Sequence, residues 1–120
     1  MADLLRFSPA FPVADIDRAL AHYRRMGFAV RRYGGGGYGY AERDGCQLHV
    51  GTSADGLDHD ESHTHSHTTA YLYVRDADAL AAEWRAAGVE VHGPEDTEWG
   101  QREGATVDPD GNVIRFGSPL

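Results

Sequence analysis

The 120-residue chain is 41% hydrophobic and 25% charged, the composition of one folded unit large enough to bury a core without disulfides or a structural metal. No apolar run approaches the roughly 20 residues of a spanning helix. With 11 basic against 19 acidic residues the net charge of -8 repels a phosphate backbone and favours cationic partners, so neither membrane insertion nor nucleic-acid binding is expected.

The N-terminus, M-A-D-L-L-R-F, has no basic region followed by an apolar stretch and does not read as a secretion signal, so the expected location is cytoplasmic. R-F-S-P-A-F-P-V then reads as a strand leading into a helix. Asp15 is the candidate N-cap, Ile16, Ala19, Leu20 and Tyr23 recur at helical spacing as one apolar core face, and Gly27 suits a left-handed C-cap. Three strand-like segments follow, F-A-V-R-R-Y, G-Y-G-Y-A-E-R and C-Q-L-H-V. Gly34 to Gly37 form the hairpin tip between the first two; without a lysine and a following helix this run is not a phosphate cradle. The single cysteine, Cys46, stands in an alternating apolar segment and is expected to be a buried structural thiol.

Residues 52–67 read as a connector rich in Ser, Thr, Asp and Gly, containing His59, His63, His65 and His67. Imidazoles at alternate positions chelate nickel, copper or zinc adventitiously. A strand that began early would also put His63, His65 and His67 on one face with Thr69, where they could join His49 in an improvised metal site.

The second half repeats the first. Shifted by 61 residues, Val13 to Val30 falls on Val74 to Val91 with seven of eighteen positions identical. H-T-T-A-Y-L-Y-V is the strand, Asp76 the N-cap, Ala77, Leu80, Ala81 and Trp84 the apolar face, and Gly88 the C-cap. V-E-V-H, a loop-like G-P-E-D-T-E-W-G, then R-E-G-A-T-V-D and N-V-I-R-F complete the half. D-G-C-Q-L-H-V-G and D-G-N-V-I-R-F-G match at an offset of 66. The expected fold class is α+β, one domain of two tandem βαβββ modules, with repeat one at 1–51, the connector at 52–67 and repeat two at 68–120.

Tandem βαβββ modules ending in D-P-D-G-N-V-I-R-F resemble the vicinal oxygen chelate superfamily over essentially the whole chain. The resemblance implies that each module curls into an incomplete barrel, and that the cup holds either a divalent metal with its substrate or a bound molecule. In metal-dependent members, such as glyoxalases and extradiol dioxygenases, ligands stand on the first and last strands of each module. Counting back five from Val13 and Val74 gives Ser8 and Thr69, and the middles of the last strands give His49 and Arg115. Only His49 is a good ligand and Arg115 cannot coordinate, so neither a metal nor any other cofactor is expected.

Three segments are similar to the bleomycin resistance proteins: Y-G-Y-A-E-R-D-G-C-Q-L-H-V, A-Y-L-Y-V-R-D-A-D-A-L-A-A-E-W and E-W-G-Q-R-E-G-A-T-V-D-P-D-G-N-V-I-R-F. This similarity implies a homodimer that sequesters a glycopeptide antibiotic without modifying it, in two grooves across the subunit interface. The N-terminal strand is often exchanged in that family, and Pro9 and Pro12 would stiffen such an arm. It further implies that Tyr38 and Trp99 clamp the drug's flat heteroaromatic rings, with Tyr40 as a second candidate on the same strand face. His49 and Arg115 line the cup, and Glu98 and Glu103, with Glu95 and Asp96 beside them, supply carboxylates for a cationic tail. Two other readings stand beside this one: a metal-dependent lyase, isomerase or dioxygenase using His49 and the histidine cluster, and a binder of another small aromatic metabolite.

Overall fold

The computed structural model describes residues 1–53 and 68–120. In chain order the elements are β1 (Ala10–Pro12), α1 (Ile16–Arg25), β2 (Ala29–Arg32), β3 (Tyr38–Arg43) and β4 (Cys46–Gly51), then β5 (Thr69–Tyr73), α2 (Ala77–Ala86), β6 (Val91–Asp96), β7 (Gln101–Val107) and β8 (Val113–Pro119). Each half is βαβββ, as the repeat predicts. The strands form two mixed four-stranded sheets, ordered β1-β4-β3-β2 and β5-β8-β7-β6, and in each the first strand runs parallel to the last.

Both helices start and stop by the same means. The carboxylates of Asp15 and Asp76 accept the amides of Arg18 and Ala79 at 3.0 Å, satisfying a donor that the first turn would leave orphaned. Gly27 and Gly88, at φ 86° and 81°, turn the chain out of the helix in the left-handed region that a Cβ disfavours. Ile16, Ala19, Leu20 and Tyr23 are buried, as are Ala77, Ala81 and Trp84, with Leu80 partly so.

These faces meet the inner sides of both sheets in one core, and the seam between the modules is polar as well as apolar. The Trp84 indole donates to the Met26 carbonyl at 3.0 Å and stands edge-on to Phe116. The Tyr23 hydroxyl donates to Asp108 at 2.8 Å, and the same carboxylate accepts the backbone amides of Asp110 and Asn112. Burial, and then the neighbouring Asp108 carboxylate, push the Tyr23 phenol well above its ordinary range. Asn112 Nδ2 reaches the Pro12 carbonyl, and Asp110 accepts from the Ala14 amide and the Arg18 guanidinium. The D-P-D-G-N turn is thus the latch that ties the end of module two to the start of α1.

Because the core takes one side of each sheet, alternation sends every second side chain outward. Gly39 and Ala41 are buried while Tyr38 and Tyr40 are half-buried, and Leu48 and Val50 are buried while Gln47 and His49 are half-buried. On β8, Ile114 and Phe116 point in and Arg115 out.

Three expectations are corrected. Cys46 shares the parity of Leu48 and Val50 but is exposed, because it opens β4 beside the Asp44–Gly45 turn, at the edge of an open groove of about 540 Å³ lined also by Phe28, Leu72 and Trp84. G-P-E-D is not loop: β6 runs through it to Asp96, with an irregularity between His92 and Glu95, and a proline is tolerated there because β6 is an edge strand. The strand expected across Arg6–Val13 is only Ala10–Pro12, with Arg6 and Phe7 exposed ahead of it. The connector's His59, His63, His65 and His67 lie outside the described residues.

Candidate ligand-binding site

On the outer face of the first sheet, antiparallel pairing sets Tyr40 opposite His49 and Tyr38 opposite Gly51. The Tyr38 and Tyr40 ring centroids are 5.8 Å apart, and the His49 ring stands edge-on to Tyr40 at 4.8 Å. Tyr33 approaches Tyr40 edge-on at 6.4 Å, and the Arg31 guanidinium lies 4.7 Å above the Tyr40 ring. The Tyr38 hydroxyl is 2.9 Å from His49 Nδ1, and Gln47 Oε1 is 3.4 Å from Nε2. A neutral imidazole with its proton on Nε2 satisfies both contacts: Nε2 donates to Gln47 and Nδ1 accepts from Tyr38. Burial, and then the neighbouring Tyr40, raise the Tyr38 phenol, so it remains a donor at physiological pH. This face is an aromatic platform whose polar edges are mutually tied.

The outer face of the second sheet is organised around a carboxylate. Trp99 sits in the β6–β7 turn, which Thr97 closes by donating its amide to the Gln101 carbonyl at 2.8 Å. The indole is 66% exposed, far from the burial of a core tryptophan. Its Nε1 donates to Glu103 Oε2 at 3.1 Å, and the Tyr71 hydroxyl donates to the same oxygen at 2.9 Å. Arg115 pairs with the other oxygen, Oε1, and lies over the Tyr71 ring. Desolvation works against the Glu103 charge, but the hydrogen bonds from Trp99, Tyr71 and Arg115 and the guanidinium charge outweigh it and hold the carboxyl below its ordinary range. Tyr73 packs beside Tyr71 with ring centroids 4.8 Å apart.

The expected contacts therefore fall into two groups. Tyr38, Tyr40 and His49 stand together on the first sheet, and Trp99, Glu103 and Arg115 on the second. Among the described residues no hydrogen bond, ion pair or ring contact joins the two. Glu98 is exposed next to Trp99, Glu95 lies opposite Glu103 on β6, and Asp96 is paired with Arg102 at 2.9 Å. Tyr71 and Tyr73 belong to the second group, although the sequence marked them only as strand residues. The signal that reveals them is parity: Leu72 and Val74 pack against the core, so Tyr71 and Tyr73 face out.

The superfamily's metal positions do not fit a metal. The parallel partner of His49 is Ala10, not Ser8, and that of Arg115 is Tyr71, not Thr69. Arg115 is committed to Glu103, and both His49 nitrogens face protein partners. Among the described residues no group of three or more His, Cys, Asp or Glu could hold a metal ion. Nor is any helix there long and apolar enough to cross a membrane.

Comparison with known proteins converges on this architecture. Residues 7–116 match the family model described as Glyoxalase/Bleomycin resistance protein/Dioxygenase superfamily, a description that spans enzymes and a resistance protein. No curated protein sequence matches the chain. A bleomycin-binding protein crystallised with bleomycin is 26% identical, with 98% of this chain and 100% of that one covered at a TM-score of 0.78. The bleomycin resistance determinant encoded on transposon Tn5 is 25% identical over 97% and 98% of the two chains, at 0.79. TnmS3, an antibiotic-binding protein from a Streptomyces species, is 25% identical over 99% and 100%, at 0.66.

Proposed function

The chain belongs to the glyoxalase/bleomycin resistance protein/dioxygenase superfamily, and within it we propose that it is an antibiotic-binding protein conferring resistance by sequestering a bleomycin-type glycopeptide without making or breaking a bond. The observation that carries the reading is the pair of outward aromatic faces, Tyr38, Tyr40 and His49 on one sheet and Trp99 with Tyr71 on the other, in a fold shared end to end with a bleomycin-binding protein. Aromatic faces clamp flat heteroaromatic rings by offset stacking, each contact contributing about 0.5–1.5 kcal/mol beyond burial. The net charge of -8 draws a cationic ligand toward them.

Each face is turned away from the core that its own module shares with the other. We infer that a clamp with rings on both sides is completed by two copies, the first sheet of one opposite the second sheet of its partner, giving two equivalent grooves in a homodimer; the outward direction of both faces supports this reading. Its mass is twice the 13.1 kDa of the chain.

Calorimetric titration with metal-free and copper-loaded bleomycin tests the reading. The expected result is submicromolar affinity, beyond about -8 kcal/mol, with the drug recovered at unchanged mass. Absence of binding at tens of micromolar drug leaves the fold intact and removes the resistance assignment.

A further inference from the structure

An indole as exposed as Trp99, on a turn, would ordinarily sample several rotamers and would lose that freedom on meeting a ligand. Here its one polar atom is already engaged by Glu103, whose side chain is only 9% exposed. Glu103 accepts from Tyr71 and Trp99 on one oxygen and pairs with Arg115 on the other, so three of the carboxylate's roughly four acceptor sites are already filled by protein donors.

The path of Tyr71 to this carboxylate is specific. β8 lies between β5 and β7, and the residue directly opposite Glu103 on β8 is Gly117. Tyr71 must cross β8 to reach Glu103, and it does so over Gly117: a Cβ built there would fall on the Tyr71 hydroxyl and lie 3.2 Å from its ring Cζ. Gly117 thus provides a notch in the strand through which the tyrosine passes.

We propose that Glu103 is a positioning residue that presets the Trp99 indole, with Tyr71 as a second strut and Gly117 as the notch that admits it, and that Glu103 makes no direct contact with ligand charge. The consequence for binding rests on the reading of Trp99 as a ligand contact; the presetting of the indole is a property of the free protein. The rim carboxylates Glu95 and Glu98, outside this network, are left to attract a cation.

The test rests on two variants that leave the charge unchanged, Tyr71→Phe and Gly117→Ala, with Glu103→Gln as the charge-removing comparison. In the 15N-labelled full chain, the two tryptophan indole N–H signals report Trp99 and, as an internal control, Trp84. Tyr71→Phe and Gly117→Ala should each shift the Trp99 signal and speed its hydrogen exchange by about tenfold, leaving Trp84 in place. The same two variants should weaken copper-loaded bleomycin binding several-fold with the wild-type salt dependence, and Glu103→Gln should show the same displaced Trp99 signal. If the Trp99 signal ignores Tyr71→Phe and Gly117→Ala, the struts do not hold the indole and the proposal is overturned. If Glu103→Gln alone weakens binding, the carboxylate meets the ligand directly and the proposal is again overturned. Should the wild type bind no bleomycin, the drug assignment fails while the indole signals still decide the presetting.

Discussion

Asp44–Gly45 and Asp110–Gly111 close corresponding hairpins in the two modules with the same two residues, yet the Asp44 side chain is 89% exposed and that of Asp110 is 1% exposed. Asp110 accepts the Ala14 amide and the Arg18 guanidinium, whereas Asp44 offers a 3.8 Å contact to Arg43. The outer faces diverge in the same way. The first sheet presents rings that satisfy one another, the second a carboxylate that collects three donors. Charge follows: residues 1–53 carry seven Arg and five Asp or Glu, a net of +2, while residues 68–120 carry four Arg and ten Asp or Glu, a net of -6. What the two modules share is the spacing that lets a helix pack on a sheet. What separates them is every position that spacing leaves free, and those positions build the latch and the candidate groove.

The two tryptophans sharpen this contrast most strongly. Trp84→Ala should cost about 3–5 kcal/mol of folding stability, as expected for emptying a buried aromatic site. Trp99→Ala should change stability by less than about 0.5 kcal/mol and weaken bleomycin binding by about 1–3 kcal/mol, a loss that Tyr38→Ala should match. Urea unfolding and calorimetry read the two quantities, and similar stability losses at both tryptophans would break the division between core and groove. The two turns come next. Asp110→Ala should cost about 1–3 kcal/mol by removing the acceptor of the part-buried Ala14 amide and of the Arg18 guanidinium. Asp44→Asn, which keeps a residue tolerant of the left-handed φ of 52°, should stay within about 0.5 kcal/mol of wild type. Equal midpoints for the two variants would mean that the latch contributes nothing.

The smallest expected effect is in pH. Glu103 has its carboxyl lowered in the folded protein, so the support it gives to Trp99 is fully present above the ordinary carboxylate range and is lost as pH falls through the depressed folded value. Trp99 fluorescence should therefore hold constant from neutral pH down through about 4.3, the ordinary glutamate value, and change only below it. A transition centred above that value would show that the three donors do not outweigh desolvation.

Much of this was legible in the residues. The offset of 61 places both helices, both N-cap aspartates and both C-terminal glycines correctly, because helix signals are local. Alternation along Tyr38–Arg43 and Cys46–Gly51 puts Tyr38, Tyr40 and His49 on one face for the same reason. Parity turns Tyr71 outward, but its contact with Glu103 depends on the registers that set β8 between β5 and β7, with β5 and β8 more than forty positions apart in sequence, and no local pattern encodes those registers. β6 was hidden by Gly93 and Pro94, which mark loops in most contexts and here occupy an edge strand. The exposure of Cys46 is not written in the alternation, because parity alone does not say where the covering layer ends.

The central claim, that one groove takes its first face from one copy and its second from the partner, is tested most directly by complementation. Tyr38→Ala and Trp99→Ala chains, each weakened in binding, are mixed, unfolded and refolded together, and titrated with copper-loaded bleomycin. In a mixed dimer one groove receives the intact Tyr38 face of one chain and the intact Trp99 face of the other, so about a quarter of all grooves should regain wild-type affinity. If both faces of a groove came from the same chain, no intact groove could form, and the mixture would bind no better than either variant alone.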